Sequence, residues 1–153
     1  ETKGEYSIIS RPEYEWERLF SYRINEGPAF VERDGRLFIV YSANGCMCDD
    51  YCLGVLELTG DNFMLSESWT KDDVPLFKKG NDVFGVGHAS FFESPDRSEL
   101  FVCYHALCES NPLREKRSIE RYCHCQKVYF DKTGFLHIGK PLANGVCHNE
   151  PKI

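Results

Sequence analysis

The chain has 153 residues, enough for one compact domain over 1–153 with a core of its own. Its 42 % hydrophobic content sets aside a disordered chain, and no apolar run is long enough to span a membrane. A net charge of -6 without a basic cluster argues against nucleic acid as a partner.

The first segment, residues 6–10, reads as a short strand that Arg11-Pro12 ends. In Tyr14-Glu15-Trp16-Glu17 apolar and acidic residues alternate, which would place both aromatics on one strand face. Asn25-Glu26-Gly27-Pro28 follows. Gly permits a sharp turn and Pro fixes φ at the head of a strand, so the Glu26 carboxylate is held at the mouth of a sheet. That suits a general acid, which needs accurate placement, although most glutamates before a turn are simply solvated.

Residues 28–33 and 37–42 form a hairpin across Asp34-Gly35, a strong two-residue turn signal. The loop after Asn44-Gly45 holds three cysteines and Asp49-Asp50. That acidic pair, like Asp72-Asp73, reads as solvated loop charge. A strand over 52–58 and a weaker one over 69–77 follow. Beyond Gly80-Asn81-Asp82 the pattern restarts with strands over 88–93 and 100–106, a charged loop over 109–120, and strands over 121–130 and 135–138. No helix is predicted.

The restart is a repeat. Ala29-Phe30-Val31-Glu32 and the run from Leu37 to Ala43 resemble Ser90-Phe91-Phe92-Glu93 and the run from Leu100 to Ala106, and Tyr41 to Tyr104 is a step of 63 residues. Short antiparallel strands at such a period are the mark of propeller blades. The fold class is therefore all-β, with antiparallel four-stranded blades starting near 26 and near 86. Both inner strands would then begin at one central channel, with Glu26 beside His88. A β-sandwich with two similar hairpins is the alternative.

Eight cysteines are many for a cytosolic chain, and their even number points to disulfides and an oxidising compartment. The spacings Cys46-x-Cys48-x3-Cys52 and Cys123-His124-Cys125 keep zinc as a rival, though neither has the usual C-x2-C spacing. Cys108 and Cys123 bracket the loop between two predicted strands and are the expected pair. A first residue of Glu rather than Met reads as a mature or excised product, and the expected location is secreted.

Taken in order, Asn25-Glu26-Gly27-Pro28, Tyr41-Ser42-Ala43, Tyr51-Cys52-Leu53-Gly54, Ser68-Trp69-Thr70, Gly87-His88-Ala89-Ser90-Phe91, Tyr104-His105-Ala106 and Gln126-Lys127 resemble glycoside hydrolase family 43. These are five-bladed β-propeller arabinofuranosidases, xylosidases and arabinanases. The resemblance covers the C-terminal part of such an enzyme, about two and a half blades of roughly 60 residues each. It implies inversion by two carboxylates about 6.5–9.5 Å apart, one an acid and one a base. Glu26 matches the acid. His88 matches the central histidine, which in some members approaches calcium or its waters, so His88 is a candidate substrate contact and metal ligand. Asn25 and His124 are the other candidate substrate contacts. No cofactor is required on this reading, with calcium a candidate.

On the resemblance, the family's base and its pKa-tuning aspartate lie in the first three blades, ahead of the acid, and this chain has no room for them. Ala89 replaces a common Asn, and His124 stands near a common Arg. Two readings follow. One is the C-terminal half of an arabinofuranosyl- or xylosyl-cleaving enzyme. A second chain or a homo-oligomer would cover its open side and supply the base. The other is a secreted, disulfide-stapled module that binds glycan or protein without hydrolysis. Carbohydrate is the expected partner on the first.

Overall fold

The computed structural model describes residues 4–19, 23–113, 115–116, 118–147 and 149–153. Among them the strands are β1 (Asn25–Arg33), β2 (Arg36–Ala43), β3 (Cys52–Leu58), β4 (Trp69–Lys71), β5 (Phe84–Glu93), β6 (Leu100–Leu107), β7 (Arg121–Phe130) and β8 (Leu136–His137). They form two four-stranded antiparallel sheets, β1-β2-β3-β4 and β5-β6-β7-β8, each in chain order. This is the blade pattern expected from the repeat, and the two inner strands β1 and β5 pack against each other.

Local chemistry sets the hairpins. Asp34 (φ 51) and Gly35 (φ 78) both take the left-handed conformation that a two-residue turn between twisted strands requires. Alternation in β2 sends Phe38 and Val40 to one face and Ile39 and Tyr41 to the other. Both faces are covered. Phe38, Val40, Leu53 and Val55 meet Val86, Val102, Tyr104, Leu136 and Ile138 of the second sheet in the main core. On the opposite face, Ile39, Tyr41, Leu56 and Trp69 pack under Ile9 and Trp16 from the N-terminal segment. That double burial explains the nearly unbroken apolar run of β2.

Expectations change in three respects: the strands, the cysteines and Asp49. Residues 6–10 pair with no strand, and Glu15–Glu17 is a single 3-10 turn rather than part of a strand. The cause is Glu17, whose carboxylate Oε2 turns back to accept the N–H groups of Glu13 (2.8 Å) and Tyr14 (3.0 Å). The weak strand over 69–77 shortens to β4, and Phe77 keeps only an isolated bridge to Leu53.

The cysteines are the second correction. All eight are free thiols. The expected Cys108–Cys123 pair does not form, because β6–β7 register sets Cys123 opposite His105 and brings its Sγ to 3.1 Å from that of Cys103. Asp49 is the third. It is buried, not solvated, and it accepts hydrogen bonds from the Ser110 hydroxyl (2.6 Å) and the Asn111 N–H, which tie the β2–β3 loop to the β6–β7 loop. Its neighbour Asp50 pairs with Lys79 at 2.7 Å.

Candidate active site

Both inner strands break register at their first residues. In β1 the irregularity falls between Glu26 and Ala29, and in β5 on either side of Gly87. Gly27 (φ 55), Gly85 (φ 59) and His88 (φ 55) carry it in the left-handed region. A bulge re-aims the side chains next to it, and a non-glycine residue held at positive φ stores strain of the kind found at functional sites. The two bulges face each other. A Cβ on Gly27 would stand 3.2 Å from the His88 ring. The His88 ring thus lies beside Gly27, the residue after Glu26, and His88 is exposed and not in the core.

Glu26 is half-buried and pairs across β1–β2 with Ser42. The hydroxyl of Tyr51, a residue with no exposed surface, donates to Glu26 Oε1 at 2.8 Å. Tyr51 comes from the end of the cysteine-bearing loop. Its ring fits against Gly87, where a Cβ would lie 2.2 Å from Tyr51 Cε1, and stacks on His105 with centroids 5.4 Å apart and planes 7° apart. His105 in turn stacks on His88 at 6.3 Å. Ser42 Oγ accepts the His88 backbone N–H at 2.7 Å and stands near the Tyr51 hydroxyl. Burial, with the adjoining Glu26 carboxylate, pushes the Tyr51 phenol far above its ordinary value, so it stays a proton donor. Burial, then the charge of Arg121 and then His88, pushes His105 down to about 4, so its ring is neutral near pH 7. Its Nδ1 is buried without a partner.

The other two expected contacts have different neighbours. Asn25 donates its Nδ2 to Glu17 Oε1 at 3.1 Å, so its amide faces the N-terminal segment. Its Oδ1 is buried without a partner beside a hollow of about 240 Å³ that Glu26, Pro28, Phe30 and Tyr41 also line. His124 is on the third strand of the second sheet, stacked on Tyr104 at 5.4 Å. That seat is not beside Glu26.

Sequence reading passed over Tyr51, Ser42 and His105 as site residues, although all three sit in the quoted motifs. Their positions at strand ends were legible, but their convergence depends on how the two sheets pack. Glu17 was missed as well. It has no exposed surface, and it accepts bonds from Tyr41 (2.9 Å), Asn25 and Lys71 (3.1 Å) in addition to the two backbone N–H groups. Burial alone would raise its carboxyl. The backbone donors, then the Lys71 ammonium and the Tyr41 hydroxyl, outweigh that and hold it below its ordinary value. This is a structural anchor.

Among the described residues no three His, Cys, Asp or Glu side chains gather as a metal site.

Against known proteins, the model of glycosyl hydrolases family 43 matches residues 2–136. The chain belongs to glycosyl hydrolase family 43. An extracellular exo-α-(1→5)-L-arabinofuranosidase from Streptomyces avermitilis is 35 % identical over 94 % of this chain, and α-L-arabinofuranosidase 43 from Humicola insolens is 33 % identical over 94 %. The chain spans 30 % of the length of each. In three dimensions it is similar to an α-L-arabinofuranosidase from Lactobacillus brevis (TM-score 0.78, 27 % identity, 92 % of this chain and 44 % of that one). It is also similar to a thermostable family-43 glycoside hydrolase (TM-score 0.83, 27 % identity, all of this chain and 47 % of that one). The two sheets are accordingly blades of a partial five-bladed family-43 propeller.

Proposed function

We propose that this family-43 chain carries the acid half of an inverting glycosidase acting on arabinofuranosyl linkages, with Glu26 as the general acid. The observation that carries the reading is Glu26 itself, fixed on a bulge at the mouth of the inner strand and held there by a buried tyrosine. In the reaction, the Glu26 proton passes to the glycosidic oxygen while the anomeric C–O bond breaks and its electron pair goes to that oxygen. A water on the opposite face forms the new C–O bond and gives its proton to a base.

The base lies outside these 153 residues on this reading. The chain spans 30 % of its curated relatives, and both outer blade faces leave large apolar side chains in the open, Phe30 on one and Phe92 and Tyr129 on the other. Such faces need cover. Further blades, on the same polypeptide or on a second chain, would cover them and bring the base. The relatives named as arabinofuranosidases support that sugar over xylose, and the one named extracellular supports a secreted location. Among the described residues no helix is long and apolar enough to cross a membrane. The rival reading, a disulfide-stapled binding module, loses its main support with eight free thiols.

The test is hydrolysis of aryl arabinofuranosides and xylosides by the assembled enzyme beside its Glu26→Gln form, with the first-formed anomer followed by NMR. Glu26→Gln should lower turnover by about 100-fold or more, and the first product should be inverted. Equal turnover by both folded forms overturns the assignment of Glu26. Folded protein with no turnover on any glycoside overturns the catalytic reading and leaves glycan or protein binding without hydrolysis.

A further inference from the structure

We propose that Tyr51 is a positioning residue for Glu26: it claims Oε1 as a permanent acceptor, so the proton that Glu26 delivers resides on Oε2. The inference rests on the reading of Glu26 as the acid, and it adds which oxygen acts and what selects it.

The bond from Tyr51 to Glu26 carries the assignment. The backbone N–H of His88 can only donate, and it donates to Ser42 Oγ at 2.7 Å. The hydrogen of the Ser42 hydroxyl is then free to point at the Tyr51 oxygen, its other neighbour. Tyr51 has one hydrogen, and it donates that hydrogen to Glu26 Oε1 at 2.8 Å. A carboxylic acid oxygen that bears hydrogen is a poor acceptor for this bond, so a protonated Glu26 keeps its hydrogen on the other oxygen.

The ring that carries the hydroxyl is over-determined. Tyr51 has no exposed surface, lies flat on His105, and leaves no room for a Cβ on Gly87. His88 donates from a left-handed backbone (φ 55) to Ser42, the cross-strand partner of Glu26, which ties the strained residue of one sheet to the hairpin that carries the acid. Aiming a carboxyl by a rigid partner is the kind of preorganisation that acid catalysis needs, because misplacement by an ångström costs rate steeply.

Neutron diffraction from deuterated crystals of the assembled enzyme in acid tests the arrangement without any turnover. Deuterium on Glu26 Oε2, with the Tyr51 deuterium aimed at Oε1, is the expected result. Deuterium on Oε1, or a Tyr51 deuterium aimed at Ser42, overturns it. The assembled enzyme supplies the second readout. Tyr51→Phe should lower kcat about 10- to 100-fold on alkyl arabinofuranosides, whose leaving group needs the proton. It should leave KM unchanged and barely touch a dinitrophenyl arabinofuranoside, whose leaving group does not. Equal loss on both substrates, or no loss on either, overturns the positioning role. If Glu26→Gln still cleaves the alkyl substrate, the acid reading fails instead, whatever the neutron map shows.

Discussion

The His88 ring lies so close under Gly27 that a Cβ there would stand 3.2 Å from it, and Gly27 itself is left-handed at φ 55. One glycine thus serves both bulges. Gly27→Ala should cost about 1–3 kcal/mol from backbone strain alone. It should also lower turnover, because either His88 or the Glu26 backbone must move. Chemical denaturation and aryl-glycoside kinetics on the same preparation check this. A variant as stable and active as the parent would show that the bulge tolerates a side chain.

The buried Glu17–Lys71 pair predicts a large and asymmetric effect. Lys71→Met removes the cation and leaves a carboxylate with no exposed surface, so it should destabilise by roughly 3–5 kcal/mol. The double variant Glu17→Gln/Lys71→Met should recover part of that loss. The sign with pH follows from a folded carboxyl held below 4.5. Stability from Glu17 is present above that ordinary value and drains away as pH falls through the lower folded one. Urea midpoints measured across acid pH, parent against double variant, read it directly.

His105 acts in a different window. Its folded value is pushed down to about 4 from an ordinary 6.5, so between these pH values the unfolded chain binds the extra proton. Stability therefore falls as pH drops from 6.5 toward 4. His105→Phe, which can keep the stack on Tyr51, should flatten that slope by on the order of 1 kcal/mol, a figure reduced for the half-exposed ring. An unchanged slope would place the ring's titration elsewhere.

Gln126 joins the second sheet to the tail. Its buried amide accepts from Tyr104 Oη (2.8 Å) and the Leu142 N–H (3.2 Å), and donates to the carbonyls of Ile138 and Lys140 (3.0 Å each). Gln126→Leu leaves those four groups to find water, and should cost about 2–4 kcal/mol. Amide hydrogen exchange should rise first over 138–142.

The thiols give a simple count. Alkylation in denaturant without reductant should label all eight cysteines, and reductant should leave the melting temperature unchanged. A persistent Cys103–Cys123 bond in the native protein would contradict that state.

Much of this protein follows from its residues alone. The 63-residue repeat, the Asp34-Gly35 turn and the alternation in β2 each depend on neighbours a few positions away, so the strands and the two-blade plan are visible without coordinates. The family resemblance at Glu26 and His88 was legible for the same reason, since short motifs carry it. Partners distant in sequence were not. Glu17 looked like one half of an alternating strand because its five donors come from four separate stretches of chain. Asp49 looked solvated because residues 110 and 111 cover it from another sheet. Cysteine spacing suggested a staple, while register, which turns on a single residue's shift, set Cys123 beside Cys103. Tyr51 reaches Glu26 across 25 residues only because two bulged strands meet face to face. Local energies choose the strands, and the packing of the sheets decides which polar groups become one site.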